Sequence, residues 1–156
     1  TIGIKDLIII DSDNATLIAK KNHTEKVKLI VDKLNKNKNS NGIMHTYENR
    51  PWGRFQNLLN NTNCKVKQIE VRPKKRLSLQ YHNYRSEHWL VVKGTATIYL
   101  NGKIVKLNVG QSINIPVKAK HYIHNETTKT LVIIETQLGT YFGEDDIIRL
   151  DDPYDR

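Results

Sequence analysis

Cysteine is nearly absent from this sequence, with Cys64 the single example among 156 residues. One cysteine cannot form an intrachain disulfide, so the class of small disulfide-stapled secreted domains is excluded. Because proteins without disulfides are typical of reducing compartments, we expect a cytoplasmic location.

Long apolar runs are missing as well. No stretch approaches the roughly 20 apolar residues that a membrane-spanning helix needs, and the sequence does not begin with the charged, apolar and small-residue pattern of a secretory signal. We therefore expect no membrane partner. The hydrophobic content of 38% and charged content of 26% are typical of a globular domain. A length of 156 residues predicts one main domain with its own core and at most a small appendage.

Basic residues outnumber acidic ones, with 25 Lys and Arg against 16 Asp and Glu and a net charge of +9. Such a charge is one signature of nucleic-acid binding. Here the basic residues are spread along the chain, without an aromatic-interleaved stripe or a helix-turn-helix pattern, so we expect no nucleic-acid partner. Two alternatives explain the charge: a compositional bias toward Lys, Asn and Ile, or a basic mouth that attracts a phosphorylated sugar.

Residues 1–41 are predicted to form a small appendage and a linker. Apolar runs at 6–11 and 15–19, separated by turn residues, predict two strands. A helix is predicted to follow, with Thr24 as its N-cap, and the Asn-, Lys- and Ser-rich stretch 35–41 predicts the linker. The helix would present one apolar face made of Val27, Ile30, Val31 and Leu34. This ββα appendage is too small to bury a core alone, so it must lean on the barrel or on a missing partner domain.

Residues 42–156 have the pattern of a mainly β domain. Short strands at even spacing and no long helix favour a barrel or sandwich over a βα repeat. The dipeptide Asn101-Gly102 between two alternating runs predicts a tight hairpin. The acidic tail 145–156 is expected to fold back on the barrel. The predicted strands are 53–57, 64–71, 76–81, 87–93, 96–100, 103–107, 112–115, 121–125 and 131–137.

Four residues have the composition of a metal site: Gln80, His82, Glu87 and His121. Gln80 and His82 are two residues apart, so on a strand both project to the same face. Glu87 lies beyond a short turn and can return on the neighbouring strand, whereas His121 must come from elsewhere in the barrel. Two imidazoles, a carboxylate and an amide oxygen suit Zn, Mn, Fe or Co. We predict one divalent ion, with zinc the first choice.

The surrounding spacing resembles the two-part signature of the cupin barrel. The first part is His82-x(4)-Glu87-x(6)-Gly94. The second is Gly110-x(5)-Pro116-x(4)-His121-x(3)-Asn125. This resemblance implies a jelly-roll barrel whose interior often holds one divalent metal. The predicted fold class is therefore a mainly β, cupin-type jelly roll with a small N-terminal ββα appendage.

Longer motifs make the resemblance more specific. Arg50-Pro-Trp-Gly53, Arg76-Leu-Ser-Leu-Gln80-x-His82, Glu87-His-Trp-x-Val-Val-x-Gly94 and the segment 143–149 are similar to those of the type II phosphomannose isomerase domain. In that family the domain is usually the C-terminal part of a bifunctional mannose-1-phosphate guanylyltransferase/mannose-6-phosphate isomerase. The segment 6–15 resembles the end of the guanylyltransferase domain, whose glycine-rich nucleotide motif these 156 residues lack. The expected partners are thus a phosphorylated sugar and, in a full-length protein, a guanylyltransferase domain.

The resemblance implies a metal-dependent interconversion of mannose 6-phosphate and fructose 6-phosphate through a cis-enediol, supplying GDP-mannose synthesis. Gln80, His82, Glu87 and His121 carry over as the metal ligands. By analogy with the fold, a homodimer paired through edge strands is expected.

The catalytic base is not identified by the sequence. A Lys, a His or a metal-bound water could act, because Glu87 would be occupied by the metal. Arg76, Lys118 and Lys120 are candidates to hold the phosphate or stabilise the enediolate, and Arg76, Ser78 and Tyr122 are candidates to bind substrate. Arg76 is preferred because strand alternation from 76 to 82 would give it the face of Ser78 and the ligands. Lys118 stands where the family usually has Gly, and Tyr122 where it usually has Arg.

Two other interpretations stay open. One is a non-catalytic cupin that binds a sugar phosphate or nucleotide sugar and regulates or stabilises an attached guanylyltransferase. The other is a different metal cupin enzyme, such as a sugar epimerase or a dioxygenase. The first would leave the protein inert, whereas a dioxygenase would require redox-active iron and consume O₂.

Overall fold

The computed structural model describes residues 2–3, 5–12, 15–36 and 47–154. It divides the chain into two compact units, 1–46 and 47–156. Neither contains, among the residues described, a helix long and apolar enough to cross a membrane.

The first unit has the predicted strand–strand–helix order. Strands β1 (Leu7–Ser12) and β2 (Ala15–Lys20) pair antiparallel. A 3₁₀ turn, Lys21–Lys26, leads into helix α1, Val27–Lys36. Thr24 is therefore inside the 3₁₀ turn and does not cap the α-helix, because the chain leaves β2 directly into that tighter turn. The helix also includes the first two residues of the predicted linker, and the rest of that linker lies outside the described residues.

The second unit is built from two antiparallel sheets. The first sheet contains six strands in the order β10-β7-β12-β5-β4-β3, and the second contains five in the order β13-β6-β11-β8-β9. The strands are β3 (Tyr47–Arg50), β4 (Gly53–Asn60), β5 (Cys64–Val71), β6 (Leu79–Tyr81), β7 (Arg85–Lys93), β8 (Thr95–Leu100), β9 (Lys103–Asn108), β10 (Ser112–Ile115), β11 (His121–His124), β12 (Leu131–Gly139) and β13 (Ile148–Asp151). Consecutive strands thus often lie in different sheets, as in a jelly roll.

Alternation along the strands separates a buried face from an exposed one. In β7, residues 85, 87, 89 and 91 are buried, whereas 88, 90 and 92 are exposed. This period of two is the strand geometry expected from the sequence. The inward residues of both sheets form one hydrophobic core, made of Trp52, Phe55, Ile69, Val71, Leu77, Trp89, Val91, Ala96, Ile98, Leu107, Ile115, Ala119, Ile123, Leu131 and Ile133.

The Asn101-Gly102 hairpin forms as predicted between β8 and β9. Both residues have left-handed backbone angles, with φ of 47° at Asn101 and 89° at Gly102. Two consecutive positive φ values are the requirement of the type I′ turn, and Asn and Gly adopt them most readily. The turn fixes the register in which Leu100 pairs with Lys103.

The predicted strand 76–81 is interrupted, and this changes the face on which Arg76 lies. Arg76 pairs with His124 through an isolated bridge, whereas Gln80 pairs with His121. Because His121 and His124 are three residues apart on one strand, they face opposite sides of the sheet. Arg76 and Gln80 therefore also face opposite sides, and the parity prediction for Arg76 is wrong. The irregular backbone at 77–78 shifts the strand alternation by one residue, and this shift places Arg76 on the opposite face.

Candidate functional site

His82, Glu87 and His121 converge inside the barrel. Each offers one ligand atom, and these atoms lie within 4.8 Å of one another. His82 Nε2 lies 3.0 Å from Glu87 Oε1, and His121 Nε2 lies 3.6 Å from Glu87 Oε2. All three side chains are buried. This metal triad (His82, Glu87 and His121) is contributed by both sheets, since Glu87 lies on β7, His121 on β11 and His82 just after β6.

Backbone carbonyls fix the tautomer of both imidazole rings. His82 Nδ1 lies 3.1 Å from the Asp146 carbonyl oxygen, and His121 Nδ1 lies 2.8 Å from that of Ala119. A carbonyl oxygen can only accept, so each Nδ1 carries the hydrogen, and in the neutral form of such a ring Nε2 is the lone-pair atom that faces the carboxylate. This is the ring orientation found in metal-ligating histidines.

The two inward Nε2 atoms both lie beside the Glu87 carboxylate. Within the described part of the chain, both Nε2 atoms are buried and lack a hydrogen-bond partner. Burial lowers the pKa of His121 below its ordinary value, which favours the neutral ring. Two lone pairs directed at a carboxylate repel it unless a cation lies between them. The donor set therefore fits a divalent metal ion.

Glu87 is held ionised by its neighbours. Burial alone would raise its pKa, but the groups around it, His82 first and then His121 and Arg85, keep the pKa well below its usual range. Three hydrogen-bond donors reach it: Arg85 Nε at 3.3 Å, Gln137 Nε2 at 3.2 Å and Trp89 Nε1 at 3.1 Å. A carboxylate that stays deprotonated is a competent metal ligand.

Gln80 lies on the same face as the triad, directly across from His121 in the second sheet. Its side chain is buried, and its Oε1 accepts a hydrogen bond from Ser78 Oγ at 2.9 Å. Gln80 and Ser78 both line the barrel cavity described below. The position suits a fourth ligand, and that role stays a prediction.

The barrel cavity lies between the two sheets beside the triad and has about 50 Å³ of water-accessible space. Its lining is strongly charged. Lys67, which is only 5% exposed, donates to Glu144 Oε1 at 2.9 Å and lies 4.6 Å from the centre of the Phe55 ring. The lining cations are Arg50, Lys67, Arg85 and Arg149, and the lining carboxyl groups are Glu87, Glu135 and Glu144.

The sequence did not single out Glu135. This side chain on β12 is 4% exposed and accepts hydrogen bonds from Gln137 Nε2 at 2.7 Å and Trp89 Nε1 at 3.1 Å. Burial, and then the charge of Glu87, raise the pKa of Glu135 to about 7. Perturbed carboxyl groups of this kind are frequent in active sites.

The strap segment (residues 143–147) packs its polar groups against the site. Asp146 accepts from the backbone N–H groups of Asn83 at 2.9 Å and Tyr84 at 3.3 Å, and its Oδ2 lies 3.5 Å from Arg85 Nη1. Arg85 Nη1 also donates to the Gly143 carbonyl at 3.1 Å. The strap thereby fixes the chain directly after His82 and the Arg85 side chain that donates to Glu87. Motif similarity included this segment without indicating its role.

The other predicted site residues lie away from the cavity. The described residues that line the cavity do not include Arg76, Lys118, Lys120 or Tyr122. Lys118 and Lys120 are exposed, in the turn before β11. Lys118 has φ of 64°, and its backbone N–H donates to the His82 carbonyl at 2.7 Å. The backbone of Lys118, rather than its side chain, therefore contacts the site, at the His82 carbonyl.

Tyr122 faces away from His121 because adjacent strand residues point to opposite faces. Its ring stacks on Tyr99 with centroids 5.2 Å apart, and the Arg76 guanidinium lies 5.3 Å from the Tyr122 ring centre. Arg76 also donates to Asp151 at 2.6 Å. Arg76 and Tyr122 therefore lie together on the outer face of the second sheet. Of the three predicted substrate-binding residues, only Ser78 lines the cavity.

Comparison with known proteins identifies the family. A family model described as "Mannose-6-phosphate isomerase C-terminal" matches residues 36–152. The chain belongs to this family. A second model, "MannoseP isomerase/GMP-like beta-helix domain", matches residues 1–34. The predicted relationship to the type II phosphomannose isomerase domain is therefore confirmed.

Relatives of this isomerase-family chain are longer proteins. It is 38% identical to the mannose-1-phosphate guanylyltransferase ManC of Salmonella typhimurium over 156 residues, 100% of the chain and 32% of that relative. It is 40% identical to the alginate biosynthesis protein AlgA of Pseudomonas aeruginosa over 155 residues, 99% of the chain and 32% of that relative. The chain spans about a third of the length of the curated relatives it matches.

Solved structures confirm the fold class of this family member. KdgF from Halomonas sp. matches with a TM-score of 0.57 and 16% identity, covering 65% of this chain and 90% of that one. An RmlC-like cupin from Shewanella frigidimarina matches with a TM-score of 0.56 and 22% identity, covering 64% and 86%. At these identities the likeness shows the fold alone, and the predicted cupin-type jelly roll with a small N-terminal ββα appendage is correct.

Proposed function

We propose that this chain is a metal-dependent aldose–ketose isomerase that interconverts mannose 6-phosphate and fructose 6-phosphate. One observation carries the proposal: two carbonyl-anchored histidines direct their Nε2 lone pairs at the ionised Glu87, beside a cavity lined by cations and carboxyl groups. The family match supports the reaction class. The site fits a metal-assisted proton transfer on a small anionic substrate.

The metal triad, with Gln80 as the proposed fourth ligand, would hold one divalent ion. Zinc is the first choice for two imidazoles with oxygen ligands, and manganese, cobalt or iron are alternatives. When bound, the ion supplies Lewis-acid stabilisation for the negative charge that develops on the substrate oxygens.

The cationic residues at the cavity are proposed to bind the phosphate. Arg50 and Arg149 side chains are 28% and 29% exposed, and the nearby Lys67 is nearly buried. Each of the two arginines lies next to a carboxylate that a phosphate could replace: Glu48, 2.6 Å from Arg50, and Asp152, 3.8 Å from Arg149. Because the cavity is small, a sugar phosphate must displace side chains at this mouth. These residues replace Arg76, Lys118, Lys120 and Tyr122 in the proposed substrate contacts.

The wider context of the reaction is also a proposal. The relatives named as guanylyltransferases suggest that the isomerase operates with an attached guanylyltransferase domain and supplies GDP-mannose synthesis. A homodimer and a cytoplasmic location belong to the same proposal.

A coupled assay with mannose 6-phosphate tests the function. Wild-type protein should turn over, lose activity on chelation and recover it when Zn²⁺, Mn²⁺ or Co²⁺ is added. Saturable substrate binding by a metal-loaded protein that shows no turnover would contradict the isomerase and support the sugar-phosphate binding module. Turnover that survives complete metal removal would overturn the role of the ion.

A further inference from the structure

Three carboxyl groups line the barrel cavity, and their surroundings differ. Glu87 is surrounded by the two imidazoles and Arg85 and belongs to the metal triad. Glu144 is partly exposed and pairs with Lys67, which holds the pKa of Glu144 below its usual value against the opposing effect of partial burial. Glu135 accepts hydrogen bonds from two neutral donors, Trp89 Nε1 and Gln137 Nε2. Carboxyl groups whose environments differ in this way commonly divide acid–base and charge-stabilising roles.

Glu135 lies next to the metal triad without belonging to it. Trp89 Nε1 donates to both Glu87 Oε2 and Glu135 Oε2, at 3.1 Å in each case. Gln137 Nε2 likewise reaches Glu87 Oε1 at 3.2 Å and Glu135 Oε1 at 2.7 Å. The two shared donors therefore hold the two carboxyl groups side by side. A substrate bound at a cation on the triad would therefore lie beside Glu135.

We propose that Glu135 is the acid–base residue that carries the proton between C2 and C1 of the sugar. This inference rests on the proposed function and assigns the base that the sequence left unidentified. The placement of Glu135 carries it: the side chain lines the cavity, its carboxyl group is free of any metal-ligand role, and two oriented donors limit its rotation.

The step balances within the substrate and one carboxylate. Glu135 takes the proton from C2 of the open-chain aldose, and the C–H electron pair forms a C1–C2 double bond while the C1 carbonyl electrons move to O1. The hydroxyl proton on O2 is transferred to O1. The electrons on O2 then form the C2 carbonyl, and C1 takes back the proton held by Glu135. No oxidant or reductant is consumed, and the ketose results.

The charges around Glu135 agree with this role. Burial raises the pKa of Glu135 most and the charge of Glu87 raises it further, whereas Lys67 and Arg85 lower it, and the net result is a pKa raised to about 7. A base is most effective when its pKa is near the working pH.

The replacement Glu135→Gln tests the inference because it preserves shape and removes the proton acceptor. The metal-loaded variant should lose about 10²- to 10⁴-fold in kcat. It should also fail to place deuterium on the sugar when incubated with either substrate in D₂O. Its metal content should equal that of the wild type, because a variant whose metal site had collapsed would bind less metal. Glu126→Gln, on an exposed carboxylate that accepts from Thr97, is the matched control and should keep wild-type kcat and exchange.

The outcomes separate the two proposals. An active wild type with a Glu135→Gln variant that keeps more than a tenth of its turnover and exchange would overturn the role of Glu135 alone. A wild type that binds metal but neither turns over nor exchanges would overturn the isomerase and the base together. Should Glu135→Gln fail to fold, Glu135→Asp keeps the carboxyl group, and we expect it to retain exchange with a kcat lowered about 10- to 100-fold. Wild-type kcat in Glu135→Asp would count against a positioned base.

Discussion

At the scale of single residues, the cavity keeps two buried carboxyl groups in different protonation states. Glu87 is ionised because imidazoles and Arg85 surround it, whereas the raised pKa of Glu135 leaves it partly protonated near neutral pH. Buried ionised groups lower stability unless they are paired. The cost of the Glu135 charge should therefore appear in the stability of the metal-free protein.

We predict a pH-dependent stability difference between the metal-free wild type and Glu135→Gln. The folded state holds the Glu135 proton up to about pH 7, whereas the ordinary pKa is 4.5, so this group's contribution to stability falls as pH rises between those values. The variant should gain up to about 3 kcal/mol relative to the wild type from pH 4.5 to 8. Urea unfolding measures both curves, and a difference that stays constant with pH would contradict the raised pKa.

Sequence could predict the triad and the cavity residues Ser78 and Gln80, but not Glu135 and Lys67. His82, Glu87 and His121 lie at the sequence spacings of the cupin signature, and the structure brings their ligand atoms together. Glu135 and Lys67 come from β12 and β5, where no motif surrounds them. A single charged residue within a strand is usually solvated, so only the register of the neighbouring strands shows that these two point inward.

At the scale of elements, the strap segment contains a short 3₁₀ helix, Glu144–Asp146, that contacts the chain around His82. The Asp146 side chain is fully buried and accepts from two backbone N–H groups beside His82. The Asp146 carbonyl also accepts from the His82 ring. One turn thus positions both the ring and the chain that carries it.

We predict that Asp146→Ala destabilises the protein by about 3 kcal/mol, because it leaves the backbone N–H groups of Asn83 and Tyr84 and one side of the buried Arg85 unpaired. Metal affinity should also fall about 10- to 100-fold as His82 loses its orientation. The exposed neighbour Asp145→Ala should change stability by less than about 0.5 kcal/mol. Denaturant unfolding and metal titration measure the two effects. Equal behaviour of the two variants would show that the strap does not position His82.

We predict that Tyr122→Arg leaves turnover within about twofold of the wild type. The ring stacks on Tyr99 on the outer face of the second sheet, and an arginine there would meet Arg76. Loss of that stack and the new like-charge pair should lower stability by about 1 kcal/mol. A tenfold gain in activity would mean that position 122 reaches the substrate after all, as the family pattern implied.

The same elements show why strand alternation misled the placement of Arg76. The sequence 76–82 alternates well enough to predict one continuous strand, but Leu77 donates its backbone N–H to Ile123 and the ladder resumes only at Leu79. An irregularity of this kind leaves no mark in the residue pattern, because Leu77 and Ser78 are both buried. By contrast, the Asn101-Gly102 turn was predictable because its backbone angles demand those residue types.

At the scale of the whole molecule, the triad, the core and the cavity all come from the second compact unit. The core residues run from Trp52 to Ile133, and the described strands of this unit pair with one another. We predict that residues 47–156 alone fold cooperatively and bind metal with the stoichiometry of the full chain. Thermal unfolding with metal analysis measures this, and a fragment that is unfolded or metal-free would show that residues 1–46 are needed.

The central claim is that one divalent cation is held by His82, Glu87 and His121, and the metal content of three purified proteins tests it most directly. Wild type and His124→Ala should each carry about one ion per chain after exposure to Zn²⁺ and gel filtration, since His124 lies on the same strand as His121 but faces the other side. His121→Ala should carry less than about a tenth of that, because a triad reduced to two ligands binds too weakly to survive the column. Equal metal in His121→Ala and the wild type, with both folded, would contradict the account.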